Sequence, residues 1–216
     1  MPFQETSKPL PDENTELKQG IEALCKRVGY NLQKVELTED DSGDLHSNAA
    51  ISSQKIGLSE ELLKHHAGHD DEILAIIAHE LGHWKKWHML RGFVFDSFYM
   101  LVFGAILIPL ISRPAFLEAF NFHQDNFFVL LCFYTALYIH SVDVPIRLLI
   151  RKISRTYELE ADSFSVQLGF GEAAYRALVR NHAQNKDVLF TSRLLVLLEY
   201  THPPLLDRLA HIERLT

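Results

Sequence analysis

A chain of 216 residues, 47% of them hydrophobic, has the material for one compact domain with or without an inserted module. Its 21 basic and 28 acidic residues leave a net charge of −7, and no lysine or arginine run is long enough to neutralise a row of phosphates, which excludes a nucleic-acid partner. Two cysteines far apart, Cys25 and Cys132, exclude a disulfide framework and a thiolate metal site and fit a reducing, cytosol-facing compartment.

Residues 1–16, with Pro2, Pro9 and Pro11, predict an extended or mobile lead-in and show no basic-then-apolar pattern of a secretory signal. Leu17, Ile21, Leu24, Cys25 and Val28 recur at helical spacing and stop at Gly29, which predicts a first helix over 16–29. Val35 to Leu37 and Asn48 to Ser52 read as short strands of a small sheet, separated by the acidic turn 39–44. From Asp70 to Met89 the run DDEILAIIAHELGHWKKWHM opens with acids suited to a helix N-terminus and continues as a strongly buried helix.

Two apolar stretches follow, Phe93 to Ser112 with one charge and Phe127 to Val142 with none. Helices of that length reach about 24 to 30 Å, close to the roughly 30 Å of bilayer hydrocarbon. Two core helices of a soluble protein are the alternative. Charge placement favours the membrane: Lys85, Lys86 and Arg91 precede the first stretch, Arg147, Arg151, Lys152 and Arg155 follow the second, and Arg113 is the strong base between them. The positive-inside rule then predicts a helical hairpin with both outer ends on the cytosolic side. The expected organisation is a lead-in over 1–16, one metallopeptidase domain formed by 17–92 and 151–216, and a transmembrane hairpin over 93–150 inserted in it. The fold class expected is mainly α: a membrane-associated zincin domain of gluzincin type with a small β-sheet.

His79-Glu80-Leu81-Gly82-His83 is an H-E-x-x-H motif within a predicted helix. The spacing of four puts both imidazoles on one face, able to share one Zn²⁺, and offsets Glu80 so that its carboxylate reaches the metal's water as a general base. Five-residue matches also arise by chance in structural helices, so a third ligand is the test. A glycine and a histidine at 86 and 89 would complete one known pattern, but Lys86 and Met89 stand there. His88 is five residues past His83, a helical step of about 500°, and is expected to face elsewhere as a surface or interface histidine. In Ser154-Arg155-Thr156-Tyr157-Glu158-Leu159-Glu160-Ala161-Asp162, Glu158 and Asp162 share a face, so one carboxylate can take the metal while the other orients a ligand histidine. Glu160 points away and reads as a solvated charge. A hairpin between the two segments would return them to the same side and depth.

HELGHW, two apolar spans, SRTYELEAD and Thr201-His202-Pro203-Pro204-Leu205-Leu206-Asp207-Arg208-Leu209 follow in an order that closely resembles the C-terminal half of the type 1 zinc CAAX prenyl proteases. Leu45-His46-Ser47-Asn48-Ala49 and Pro9-Leu10-Pro11 extend the resemblance over nearly the whole chain. It implies one zinc per chain on His79, His83 and Glu158, with Asp162 as the second-shell partner. It implies that Glu80 is the base and that His202 sits near the scissile carbonyl as an oxyanion donor. Asn48 would hold the substrate backbone by strand addition, although Ala50-Ile51-Ser52 replace the family's aromatic residues there. Arg208 falls with the substrate-binding segment, its role open to a structural reading.

The resemblance further implies a prenylated, farnesylated protein or peptide as substrate and a lipid membrane as setting. Location would be the endoplasmic reticulum or inner nuclear membrane, with the site on the cytosolic side. Family members place further transmembrane helices ahead of the HSNA segment, enclosing a chamber this sequence does not itself supply. Two other functions compete: a quality-control protease like the bacterial HtpX enzymes, and a catalytically weak module that binds prenylated tails. The presence of Glu80 argues for chemistry, because a binding module needs no general base.

Overall fold

The computed structural model describes residues 7–11, 14–38, 49–52, 54–111, 118, 127–185 and 188–216. It is mainly helical, with one small sheet. Helix α1, Thr15–Val28, buries Leu17, Ile21, Leu24, Cys25 and Val28, the apolar positions its periodicity marks. It ends at Gly29, whose φ of 81° lets the amide turn back to the Cys25 and Lys26 carbonyls.

Strands β1 (Ser7–Pro9), β2 (Lys34–Thr38), β3 (Ala49–Ser52) and β4 (Lys55–Ser59) form a sheet in the order β1-β2-β4-β3. β2 and β4 run parallel, and the outer pairs are antiparallel. The two expected strands exist but are not neighbours, since β4 lies between them. β4 is short and carries Gly57, so only Ile56 and Leu58 mark its buried face. The lead-in is partly built into the sheet: β1 pairs with β2, and Leu10 is buried. Val35, Leu37, Ile56 and Leu58 pack against α1 and against Ile73, Ile77 and Leu81 of helix α3, Asp70–Lys85. A short helix α2, Glu60–His65, joins β4 to α3, its amide of Leu62 capped by the Ser59 hydroxyl at 3.1 Å. Two lengths of sheet and two helices thus share one core, and β3, at the sheet edge, lies alongside α3.

The helix expected to run to Met89 stops four residues earlier. Trp87 has a φ of 60°, a left-handed conformation costly for a bulky side chain, and the chain turns there before α4, His88–Ile111, begins. Among the described residues, the stretch His88–Ile106 of α4 is long and apolar enough to cross a membrane. Met89, Phe93, Phe98, Leu101 and Ile108 along it are exposed.

The second apolar stretch is not a separate helix. α5 (Phe127–Tyr138) passes through a π turn, Ile139–Asp143, directly into α6 (Val144–Gln167). Pro145 explains the π turn: a proline inside a helix has no N–H for the carbonyl four residues back, and the wider turn accommodates that loss. α4 touches this run where Tyr99 donates to Asp143 at 2.7 Å and the Phe103 ring lies 4.3 Å from Tyr138. Helices α7 (Gly171–Asn185), α8 (Arg193–Glu199) and α9 (Leu205–Glu213) complete the fold, α7 and α9 covering α3 and α6 around Ala75, Ala173, Ala174 and Ile212.

Candidate metal centre

Two helices from distant parts of the chain bring the candidate ligands together, and a glycine sets how closely they meet. A methyl group on Gly82 of α3 would lie 3.1 Å from Ala161 Cα and 3.2 Å from Phe164 Cβ of α6, tighter than packed side chains tolerate. Buried Ser165 of α6 ties the same pair by donating to the Ala75 carbonyl at 3.1 Å. This contact places Glu158 beside the two histidines, and α6 carries Glu158 and Asp162 on its buried face.

His79 Nε2 and His83 Nε2 are 3.2 Å apart, and each is close to a Glu158 oxygen, at 3.5 Å and 3.4 Å. A tetrahedral zinc with ligand bonds of about 2.0–2.1 Å spaces its ligand atoms by roughly 3.3–3.4 Å, and these separations, which reach Oε2 of Glu158 from His79 and Oε1 from His83, are close to that spacing. With both imidazoles neutral, their two Nε2 atoms and the Glu158 carboxylate all face one another, a set of donors that one divalent cation satisfies together. The residues therefore fit a metal ion.

The surroundings fix the donors. His79 Nδ1 is 2.9 Å from Asp162 Oδ1, which holds a proton on Nδ1 and directs Nε2 toward His83 and Glu158, where it can ligate a metal. Arg208 grips Asp162 with two bonds, Nε to Oδ2 at 2.8 Å and Nη2 to Oδ1 at 2.6 Å, and its Nη1 is 3.7 Å from Glu158. Its side chain is only 15% exposed, so Arg208 serves as a counter-ion of the cluster, and it also lines the cleft beside the triangle.

Charge behaviour follows from this packing. Burial disfavours a charged His79, yet hydrogen bonds to Asp162 and Glu158 outweigh it and raise its pKa to about 9. His83 is pushed down to about 4 by burial and by the charge on His79. Burial opposes ionisation of Glu158, but bonds to His202 and His79 hold it far below the ordinary carboxylate range. Asp162, also buried, is drawn down to about 2 by Arg208 and His79. Glu158 and Asp162 are thus held ionised beside the two imidazoles, where they favour a positive charge.

Glu80 faces the adjoining cleft of about 190 Å³, whose wall includes His79, Glu158, His202, Ala49 and Leu178. Burial raises the Glu80 pKa against the counteracting charge of His79, a direction that suits a proton acceptor. His202 stands at the rim, 66% exposed at its side chain, with Nδ1 3.0 Å from Glu158 Oε2. Ala49, the first residue of edge strand β3, reaches the cleft; Asn48, expected to hold substrate, lies outside the described residues.

His88 departs from its expected surface position. It is buried, its Nδ1 is 3.0 Å from His83 Nδ1, and its ring stacks on Tyr157 at 4.1 Å. The helical-wheel step failed because α3 ends before His88 and the turn at Trp87 folds the next helix back. Glu160 is not simply solvated either: its Oε2 meets His88 Nε2 at 3.2 Å and Lys86 Nζ at 3.3 Å. Arg155, read in the sequence only as a flanking positive charge, donates to the Val196 and Tyr200 carbonyls at 3.0 Å and 2.6 Å. It thereby holds the segment that leads to His202. A positive charge facing a helix C-terminus was the available signal, but nothing local pointed to α8.

Comparison with known proteins gives the site its context. Residues 11–216 match the profile of Peptidase family M48. The chain is 31% identical over 214 residues to the CAAX prenyl protease 1 homolog of Arabidopsis thaliana, covering 95% of this chain and 48% of that protein. It is 27% identical over 223 residues to CAAX prenyl protease 1 of Saccharomyces cerevisiae, covering 94% and 49%. With the Homo sapiens homolog the identity is 26% over 242 residues, covering 93% and 50%. The crystal structure of S. mikatae Ste24p superposes with a TM-score of 0.80 at 26% identity, covering 96% of this chain and 51% of that one. The chain spans about half the length of the curated relatives it matches.

Proposed function

The chain belongs to peptidase family M48, and from that premise we propose that it is a membrane-bound zinc metalloendopeptidase that removes the C-terminal tripeptide of prenylated CAAX proteins. The observation that carries this reading is the triangle of His79, His83 and Glu158, with Glu80 in the cleft beside it. His79, His83 and Glu158 would hold one zinc, which when bound polarises a carbonyl and lowers the pKa of water.

This chain's residues supply the rest. Glu80 accepts the proton of the attacking water and passes it to the departing amine. Asp162 and Arg208 keep His79 in its ligand tautomer. His202, at the rim, donates to the oxygen that becomes negative in the transition state. An extended peptide lying along β3 would be held by main-chain bonds, with Asn48 the residue proposed to meet it.

The proposed setting is a bilayer of the endoplasmic reticulum or inner nuclear membrane, with the site on its cytosolic side. α4 and the α5 segment form the hairpin, inserted as residues 93–150 between the two parts of a gluzincin-type domain. The apolar exposure of α4 and its contacts at Tyr99 and Phe103 support that arrangement. The substrate class rests on the relatives' activity.

The test is zinc content and cleavage with the protein in detergent. The chain is expected to bind one zinc, Glu158→Ala to lose it, and a farnesylated CAAX peptide to be cut in preference to its unprenylated counterpart and to a misfolded protein. Unchanged zinc content in Glu158→Ala would remove Glu158 from the site. Preference for the misfolded protein would move the function to quality control.

A further inference from the structure

His79 has an obvious partner that sets its tautomer, the Asp162 carboxylate. Among the described residues, His83 has no carboxylate on its second nitrogen. It has His88 instead, Nδ1 to Nδ1 at 3.0 Å, and His88 in turn has Glu160, Nε2 to Oε2 at 3.2 Å. Two imidazoles in a row can order their protons in two ways, and the choice decides whether His83 can bind a metal.

In one order, His88 donates from Nδ1 to His83 Nδ1. His83 then carries its proton on Nε2, aimed at His79 Nε2 and Glu158, and has no lone pair for a cation. In the other order, His83 Nδ1–H donates to the lone pair on His88 Nδ1, and His83 Nε2 is free. An ionised carboxylate can only accept hydrogen bonds. Glu160 at the far end therefore requires the proton of neutral His88 to sit on Nε2, and this selects the second order. Lys86 Nζ, 3.3 Å from the same Glu160 oxygen, supports the ionised form.

We propose that His88 and Glu160 are positioning residues for the metal centre: they hold His83 in the tautomer and ring orientation that present its Nε2 lone pair to the cation. The stack of His88 on Tyr157, with planes 8° apart, fixes the ring that does this. The left-handed turn at Trp87 makes the contact possible by folding the first residue of α4 back over α3. One metal ligand is thereby anchored to the start of the long apolar helix.

The proposal rests on the zinc reading, and the experiment separates the two. Zinc affinity is measured on the whole chain in detergent by chelator competition, for the parent, His88→Phe, His88→Gln and Glu160→Ala. Phenylalanine keeps the stack on Tyr157 and removes the acceptor; glutamine restores an acceptor without the ring. Removing such a partner of a metal-ligating histidine weakens metal binding by about 10–100-fold. His88→Phe is expected to fall in that range, His88→Gln to recover most of the loss, and Glu160→Ala to show a smaller loss. In ¹⁵N-histidine spectra of the zinc-loaded parent, the slowly exchanging His83 Nδ1 proton should be present, and it should be lost in His88→Phe.

Parent-like zinc affinity in His88→Phe would overturn the proposal, as would a loss in His88→Gln equal to that in His88→Phe. Should the position-88 variants fail to fold, Glu160→Ala at a partly exposed site still decides: parent-like affinity together with an unchanged His83 proton signal refutes the relay. A parent chain that binds no zinc would instead remove the zinc reading itself.

Discussion

Helix α3 carries two clusters made of the same residue types. At its N-terminal end, fully buried Glu72 accepts from His66 at 2.8 Å and from Arg180 at 2.7 Å and 3.2 Å, and His66 reaches Asn181 with its other nitrogen at 2.8 Å. Two turns on, His79, His83 and Glu158 gather with Asp162 and Arg208 behind them. In the first cluster the Glu72 carboxylate is filled by donors from Arg180 and His66, so its oxygens have nothing left to offer a ligand. In the second, two imidazole Nε2 atoms and the Glu158 carboxylate converge on one point, which an added proton or a metal cation can fill. The contrast shows that residue composition does not separate a structural network from a metal site; whether the ligand atoms converge on one point does.

The strongest test of that contrast is Glu80→Gln, which should leave zinc content and folding intact while lowering kcat/KM by about 10²–10⁴-fold, the usual range for a general base. Near-parent turnover would mean the cleft does not use Glu80. Next comes Asp162→Asn, expected to weaken zinc binding by about 10–100-fold, or about 1.4–2.7 kcal/mol, because His79 loses its charged partner. If zinc affinity is unaffected, the Asp162–Arg208 pair belongs with the structural cluster.

Glu72→Gln should do the reverse, leaving zinc affinity alone and costing about 1–3 kcal/mol of stability at neutral pH. Burial opposes the ionisation of Glu72, but Arg180 and His66 hold its pKa below the ordinary 4.5. A depressed carboxylate pKa contributes stability above its unfolded value and loses it as pH falls through the folded one. Thermal unfolding should therefore show the parent and Glu72→Gln converging as pH drops below about 4.5, and a gap that stays constant with pH would refute this account. The smallest effect is expected from Trp87→Gly, which relieves a left-handed residue whose side chain is 64% exposed. The relief of strain and the greater entropy of the unfolded chain offset each other and should leave stability within about 1 kcal/mol of the parent, with zinc affinity held. A marked drop in zinc affinity would show that the indole itself supports the turn beneath His88.

Several features were legible before folding because they depend on neighbours in sequence. The apolar period of 16–29 and the glycine after it specify α1 and its stop, and the spacing of four in H-E-x-x-H specifies that both imidazoles share a face, seen as ring centroids 4.9 Å apart. The length of the first apolar stretch likewise predicts α4. β4 was missed because two apolar residues around a glycine carry too little pattern, and the second apolar stretch was cut short because a π turn lets a helix continue through Pro145. His88 was misplaced because a helical angle has meaning only while the helix lasts.

By itself, then, the sequence determined the chemistry available on each helix: two imidazoles and a carboxylate on α3, two carboxylates one turn apart on α6. The tertiary structure decided what those groups face. Gly82 sets the approach that places Glu158 within 3.5 Å of both histidines, Arg208 arrives from α9 to bind Asp162, and His88 returns across a broken helix to His83. Periodicity reports an angle about one helix axis, whereas a metal site is set by distances between axes, and those come only from packing.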